Sequence, residues 1–184
     1  GVKKILIIGG GGTIGSNYIK QILKFKPSKI VVVDTNENGL TELTRKLRSD
    51  NSINLPDIYL TYPLNFASKT FDKILDNFHF EIIANFAAHK HVRSEKDIIS
   101  IEAMIENNVF SAQTLLDKLS VNPPNHFFCV STDKAANPVN VMGGSKKIME
   151  NLIMSYKEDI KITTARFANV AFSNGSLLDG YINR

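Results

Sequence analysis

An acid and a base stand side by side in residues 131–134, which read Ser-Thr-Asp-Lys and directly follow a mainly apolar run. Such a run is typical of a buried strand, and open parallel sheets place their chemistry at the carboxyl ends of the strands. Neighbouring Asp133 and Lys134 can hold different protonation states and so serve as acid and base. A solvated turn after a strand is the alternative for the bare tetrapeptide.

A glycine-rich turn occupies residues 9–15, between an apolar strand and the first helix. It satisfies G-x-G-x-x-G starting at Gly10 and G-x-x-G-x-x-G starting at Gly9. Glycine permits a tight turn and a close backbone approach to a pyrophosphate, whose charge the exposed amides and the helix dipole stabilise. A glycine turn without a ligand is the alternative. The cofactor contacts predicted here are Gly9, Gly12, Thr13, Ile14 and Gly15.

Asp34 ends the second apolar run, Ile-Val-Val-Val, and completes the dinucleotide pattern. Its carboxylate can accept hydrogen bonds from a ribose diol and would repel a 2′-phosphate, which favours NAD over NADP. The alternative is that Asp34 caps the helix that follows.

Met142 and Lys146 are four residues apart in a helical pattern over 141–156, so they share one helix face. Cys129 lies inside the apolar run before Ser131, which predicts a buried core thiol. Ala87 and Ala88 follow the fourth apolar run, where small residues let backbone approach a cofactor or simply allow packing.

Composition places the 184-residue chain among ordinary globular proteins, with 43% hydrophobic and 22% charged residues. The net charge of +4 is dispersed, which gives little support to nucleic-acid binding. A single cysteine fits a reducing compartment, and no apolar run is long enough for a membrane span, so we expect a cytoplasmic protein.

Apolar runs alternate with helical patterns along the whole chain. The pattern predicts an α/β domain over 1–184, a Rossmann-type doubly wound parallel sheet with strand order 3-2-1-4-5-6. The sequence stops at what resembles a helix start, so we expect a fragment that lacks most of a C-terminal substrate region. Strands are predicted at 4–8, 29–33, 58–61, 81–86, 126–131 and 160–165, and helices at 14–25, 38–48, 69–77, 98–119 and 141–156.

Four segments, 7–16, 87–92, 131–146 and 165–170, resemble one family closely. It is the polysaccharide-biosynthesis branch of nucleotide-sugar 4,6-dehydratases, within the extended short-chain dehydrogenases/reductases. The most specific piece is Thr-Asp-Lys followed by Asn-Pro-x-Asn-x-Met-Gly-x-Ser-Lys. Met142 stands where the superfamily usually has a proton-transferring Tyr, a replacement that some members of this branch share.

The resemblance implies a lyase reaction in which NAD is recycled internally. Lys146 would orient the nicotinamide ribose and help the sugar O4 lose its proton, with Thr132 close to O4. Lys134 would then remove the C5 proton, and Asp133 would protonate the departing C6 hydroxyl. Met142 would occupy the position of the missing Tyr.

The same resemblance implies the remaining contacts, a nucleotide-sugar substrate and a homo-oligomer. Asn65 stands where relatives often have Asp near the adenine, and Asn108 matches a residue that braces the active-site strand. Arg166 is placed near the substrate diphosphate, although a structural ion pair is an equal alternative. Cofactor contacts implied are Asn65, Ala87, Ala88, Lys90, Ser131 and Lys146, and substrate contacts are Lys90, His91, Arg166, Asn169 and Ser173.

Two other functions stay open, and no metal site is predicted. An NAD-dependent nucleotide-sugar epimerase or reductase would need a Tyr at position 142. A non-catalytic NAD-binding module would need neither Asp133 nor Lys134. His89 and His91 are too close in sequence for their rings to converge on a metal ion.

Overall fold

The apolar runs form six parallel strands of one sheet in a computed structural model, which describes residues 3–87, 97–168 and 170. The strand order is β3-β2-β1-β4-β5-β6, so the predicted doubly wound topology is confirmed. The strands are β1 (Lys4–Ile8), β2 (Lys29–Asp34), β3 (Ile58–Pro63), β4 (Ile82–Asn85), β5 (His126–Thr132) and β6 (Ile162–Phe167).

The helices between the strands carry their own start signals. Asn36, Ser68, Asp97 and Asn140 each accept a hydrogen bond from an amide of the first helical turn, as favoured N-cap residues do. The helices are α1 (Thr13–Leu23), α2 (Glu37–Ser49), α3 (Lys69–Asn77), α4 (Ile98–Ile105), α5 (Ser111–Val121) and α6 (Val141–Ser155).

Both faces of the sheet are covered, which explains why its central strands are apolar without alternation. On one face, β1 and β2 pack against α1 and α2 through residues such as Ile7, Val32 and Leu43. On the other, side chains such as Leu6, Phe71 and Leu115 join the sheet to the helices α3, α5 and α6.

The strand register brings the functional loops to one edge. Ile8, the last residue of β1, pairs with Asn85 of β4, which in turn pairs with Cys129 of β5. The glycine turn after β1 and the Thr-Asp-Lys turn at the end of β5 are therefore two strands apart, about 10 Å in the hydrogen-bonding direction.

Most predicted bounds are within two residues of the structure, and two differences have a clear physical reason. The helix expected over 98–119 is interrupted by a π-helical segment at Glu106–Phe110 and extends to Val121. The last strand begins at Ile162 rather than 160, because the Ile160 amide still donates to the Tyr156 carbonyl at the end of α6.

Among the described residues, no helix combines the length and the apolar character needed to cross a membrane.

Candidate functional site

Close packing against backbone atoms fixes two of the glycines in the turn after β1. Gly9 has a φ of 80°, and a Cβ built on it would lie 2.5 Å from the Ala87 backbone nitrogen. A Cβ on Gly15 would lie 2.3 Å from the Gly9 carbonyl oxygen. Both contacts are shorter than real Cβ atoms make, so only glycine lets α1 and β4 approach this turn so closely.

Gly12 differs, because the space beside it is open. The atom nearest to a Cβ built there is the Gly9 oxygen, at an ordinary 3.6 Å. Gly12 is the N-cap of α1, and within the described chain no side chain caps this helix start. The start of α1 therefore has the geometry of a glycine turn before a helix, a place where proteins commonly bind anions.

Asp34 is hydrogen-bonded to the same turn. Its Oδ2 accepts a hydrogen bond of 2.8 Å from the Gly11 amide, and its Oδ1 accepts one of 2.9 Å from the Asn36 amide. The alternative that Asp34 caps α2 is wrong, because the cap is Asn36, which accepts from the Gly39 amide. Asp34 thus holds a carboxylate beside the glycine turn.

The turn at residues 132–134 forms a compact polar group at the end of β5. Thr132 Oγ1 donates to Asp133 Oδ1 over 2.9 Å and accepts from the Lys134 amide over 3.4 Å. Lys134 Nζ lies 3.5 Å from the same Asp133 oxygen. The hydroxyl of Thr132 and the ammonium of Lys134 lower the pKa of the Asp133 carboxyl below its ordinary 3.8. In this geometry the exposed Asp133 is therefore a carboxylate at neutral pH.

Helix α6 packs its first turn directly onto this polar group. A Cβ on Gly143 would lie 2.8 Å from the Lys134 carbonyl oxygen, so a larger residue there would push the two segments apart. Met142 and Lys146, on the face predicted for them, are both buried. The helix that carries Met142 and Lys146 is thus packed against the turn that carries Thr132, Asp133 and Lys134.

The Lys146 side chain is buried, and its Nζ has weak, neutral partners. Its Nζ donates to the Val130 carbonyl over 3.4 Å and lies 3.6 Å from the Met149 sulfur. Burial lowers the pKa of its ammonium below the ordinary 10.5. Burial also raises the pKa of the neighbouring Cys129 thiol to about 11, so the thiol stays neutral, as expected of a core residue.

Ser131 is buried on β5, beside these groups. Among the described residues its hydroxyl has no hydrogen-bond partner, although the Glu150 carboxylate is close enough to be stabilised by it. A buried hydroxyl without a partner is costly, and the nearby Glu150 carboxylate offsets part of that cost.

Arg166 forms the ion pair that sequence analysis named as an alternative to a substrate contact. Its Nε and Nη2 bind both oxygens of Glu150, over 2.9 Å and 2.7 Å. Sequence reasoning missed Glu150, although its position four residues after Lys146 on an amphipathic helix was an available signal.

Asn108 lies in the π-helical segment and is also buried. It donates from Nδ2 to the Ser145 hydroxyl over 3.1 Å, and that hydroxyl donates to the Met142 carbonyl over 2.8 Å. These bonds connect Asn108 to the helix that carries Met142 and Lys146.

The other predicted contacts divide between described and undescribed residues. Asn65 is exposed and its Oδ1 accepts from the Ala67 amide, which leaves the side-chain amide group for a ligand. Ala87 follows β4 and faces Gly9. Five predicted positions lie outside the described residues: Ala88, Lys90, His91, Asn169 and Ser173.

Sequence comparison finds relatives over almost the whole chain. The family described as "Polysaccharide biosynthesis protein" matches residues 5–184. The capsular polysaccharide biosynthesis protein CapD of Staphylococcus aureus is 30% identical over 99% of this chain and 30% of its own length. An uncharacterized membrane protein of Methanocaldococcus jannaschii is 36% identical over 96% of this chain and 51% of its own length.

An enzyme with a defined reaction is also similar. The UDP-N-acetylglucosamine 4,6-dehydratase (inverting) of Campylobacter jejuni is 28% identical over 96% of this chain and 52% of its own length. The chain thus spans between 30% and 52% of the length of these three curated relatives.

Solved structures share the fold. Pen from Bacillus thuringiensis superposes with a TM-score of 0.85 at 25% identity, over 99% of this chain and 56% of that one. Two neighbours below 25% identity support the fold alone. They are DesIV, a dTDP-glucose 4,6-dehydratase from Streptomyces venezuelae with NAD bound (19%, TM-score 0.72, 89% of this chain and 55% of that one), and a UDP-glucuronic acid 4-epimerase from Bacillus cereus with NAD (21%, TM-score 0.73, 89% and 55%).

Proposed function

This chain belongs to the polysaccharide biosynthesis protein family, and on that premise we propose that it is the cofactor-binding part of an NAD-dependent nucleotide-sugar 4,6-dehydratase. The substrate would be a UDP- or GDP-linked N-acetylglucosamine, and the product a 4-keto-6-deoxy sugar. The similarity to capsular and dehydratase relatives supports this choice.

One observation carries the proposal: the packing of Gly143 against the Lys134 carbonyl. It joins the turn that bears Asp133 and Lys134 to the helix that bears Lys146. An acid, a base and a buried cation at one edge of the sheet are what successive proton transfers on a sugar require.

The glycine turn and Asp34 suit the dinucleotide. The open space at Gly12 admits a pyrophosphate at the start of α1, and the Asp34 carboxylate can accept the ribose hydroxyls. That carboxylate favours NAD over NADP. NAD, when bound, supplies the acceptor for the C4 hydride and returns the hydride to C6.

Chemistry at O4 falls to residues of α6 and of the turn. Lys146, as a buried ammonium, would stabilise the oxygen as it loses its proton. Thr132 would hydrogen-bond near O4. The Met142 thioether cannot carry a proton, so Lys146 and Thr132 must compensate for the absent Tyr.

Elimination of water falls to the adjacent pair. Lys134 would take the C5 proton, made acidic by the 4-keto group, and Asp133 would give a proton to the departing C6 hydroxyl. In the structure an Asp133 oxygen lies 3.5 Å from Lys134 Nζ, and its contacts lower the pKa of the Asp133 carboxyl. The proposed step therefore needs Asp133 to hold a proton that these resting contacts disfavour.

The remaining substrate contacts and the assembly state extend this proposal. Lys90, His91, Asn169 and Ser173 would contact the sugar nucleotide, as the family resemblance implies, and a homo-oligomer is expected.

A nucleotide-sugar 4-epimerase is the second candidate, because epimerases share the fold. The buried Met142 argues against it, since epimerisation needs a proton-transferring side chain at that position. A non-catalytic NAD-binding module is the third candidate, and it gives no reason for an acid-base pair packed against α6.

The test is product formation by the full-length protein from UDP- and GDP-N-acetylglucosamine, followed by mass spectrometry. The proposal expects loss of water from one of the two sugars. Asp133→Asn and Lys134→Ala should reduce turnover by at least about 100-fold, the contribution of a general acid or base. Bound NAD should be retained in both variants.

Glu158→Gln, which removes an exposed carboxylate away from the site, is the matched control and should keep full activity. Undiminished turnover in both site variants would remove the mechanism, whereas an isomerised sugar without loss of water would identify an epimerase.

A further inference from the structure

Glu150 is a buried acid that the proposed mechanism does not use. It is 6% exposed, and it lies on α6 one turn after Lys146, so the two side chains share a helix face. Buried carboxylates need partners, because removing an unpaired charge from water is costly. The partner of Glu150 is Arg166.

The pairing with Arg166 is bidentate and reaches across from β6. Arg166 Nε and Nη2 bind Oε1 and Oε2, over 2.9 Å and 2.7 Å. This fork geometry fixes the direction of the carboxylate, which a single bond would not do. The Arg166 bond is also the main cause that lowers the pKa of Glu150 below its ordinary 4.5.

The groups around Lys146 leave Glu150 as its counter-charge. Its Nζ donates to the Val130 carbonyl of β5, and the thiol of Cys129 on the same strand is neutral because burial raises its pKa to about 11. On its own helix, Lys146 Nζ lies near the Met149 sulfur, and the negative charge of Glu150 raises the pKa of Lys146. The cations that face Glu150 are Arg166 and Lys147.

We propose that Glu150 and Arg166 are positioning residues that set the charge state of Lys146. Glu150 supplies the negative field that keeps the buried ammonium charged. Arg166 holds the carboxylate on the β6 side, so that it cannot close onto Lys146 and occupy the donors that a ribose would need. Arg166 then acts inside the protein and is not a ligand of the substrate diphosphate.

This proposal rests on the proposed function, because a charged Lys146 matters only if it acts on the ribose and on the sugar O4. The electrostatic claim itself needs neither cofactor nor sugar. It can therefore fail while the dehydratase assignment stands, and the reverse also holds.

The test is an NMR titration of the lysine Cε and Nζ signals in lysine-labelled protein, with the Lys146 signal assigned by its loss in Lys146→Arg. Removing the carboxylate in Glu150→Gln should lower the pKa of Lys146 by about one pH unit, the usual effect of one nearby opposite charge. Removing the cation in Arg166→Met should raise the pKa of Lys146, because Glu150 is released towards it. If the pKa of Lys146 falls in Glu150→Gln and rises in Arg166→Met, the two variants act through charge.

Glu150→Asp preserves the negative charge and serves as the matched control, which should stay within about 0.3 pH units of the parent protein. Equal directions in the first two variants, or no change in either, would overturn the proposal. If Arg166→Met does not fold, a Glu150→Gln titration that matches Glu150→Asp overturns it as well.

Steady-state kinetics of the full-length protein separate this role from a substrate contact. A positioning role predicts that Arg166→Met moves the pH profile of kcat and leaves the KM for the nucleotide sugar within about twofold. A raised KM with an unchanged profile would return Arg166 to the substrate diphosphate and refute the proposal.

Discussion

At the scale of single residues, the glycines after β1 differ in what a methyl group would meet. A Cβ on Gly15 would strike the Gly9 carbonyl at 2.3 Å, whereas one on Gly12 would have 3.6 Å of room. Gly15→Ala should therefore lower the free energy of unfolding by about 1–3 kcal/mol, the usual cost of overpacking. Urea unfolding followed by circular dichroism measures this.

Gly12→Ala is the matched variant, because it adds the same methyl group without a clash. It should unfold within about 1 kcal/mol of the parent protein, yet bind NAD at least about tenfold more weakly in calorimetry, since the methyl group fills the open space at the start of α1. Unchanged NAD affinity in Gly12→Ala would place the dinucleotide elsewhere.

Residue types alone predicted only part of the candidate site. The spacing of Met142 and Lys146 is a helical repeat, so their common buried face could be predicted. The engagement of Arg166 could not, because its partner Glu150 is 16 residues away and meets it only once β6 lies against α6. Sequence offers a phosphate and a carboxylate as equal partners for an arginine, and tertiary packing decides between them.

At the scale of elements, the start of α6 determines how the site is held together. Asn140 Oδ1 accepts a hydrogen bond of 2.8 Å from the Gly143 amide, and Gly143 packs against the Lys134 carbonyl. Asn140→Ala should lower the free energy of unfolding by about 1 kcal/mol, as loss of an N-cap does. It should also loosen the first turn and slow product formation by roughly tenfold, because catalysis depends on placement.

Asn140→Asp keeps an acceptor at the cap and complements the helix dipole, so it should retain the parent stability in urea unfolding. If Asn140→Ala were as stable and as active as Asn140→Asp, the cap would have no part in holding the site.

Most elements could be predicted because their signals are local: apolar runs for strands and Asn, Ser or Asp at helix starts. The π-helical segment could not, because its apolar spacing suits a continuous α-helix equally well. What distinguishes it is a long-range contact, the bond from Asn108 to Ser145, 37 residues away. The start of β6 was predicted two residues too early for a similar reason. Ile160 is apolar and buried like a strand residue, but its amide is hydrogen-bonded to the end of α6.

At the scale of the whole molecule, the parallel sheet gathers residues distant in sequence at one edge. The carboxyl end of β2 and the short turns after β1, β4 and β5 carry Asp34, Gly12, Ala87 and Asp133. The crossover helices then cover both faces, so the groups that face inward beside this edge, such as Lys146 and Cys129, lie in a dry interior. That interior makes the stability of the entire fold depend on pH.

Cys129 makes that dependence measurable. Burial raises the pKa of its thiol from 9.0 to about 11, so the unfolded chain loses this proton first as pH rises. The native state then holds more protons than the unfolded state, and the free energy of unfolding must fall with rising pH in that window. The contribution is complete below pH 9.0 and is lost by about pH 11, a difference of about 3 kcal/mol.

Cys129→Ala removes the titrating group, so its free energy of unfolding should fall less than that of the parent protein over the same window. Urea unfolding at several pH values between 8 and 11 measures the difference. Lys146 acts in the opposite direction, since its lowered pKa makes the native state release a proton before the unfolded state does. Lys146→Met should therefore steepen the alkaline loss of stability, and parallel curves for all three proteins would show that neither pKa changes on folding.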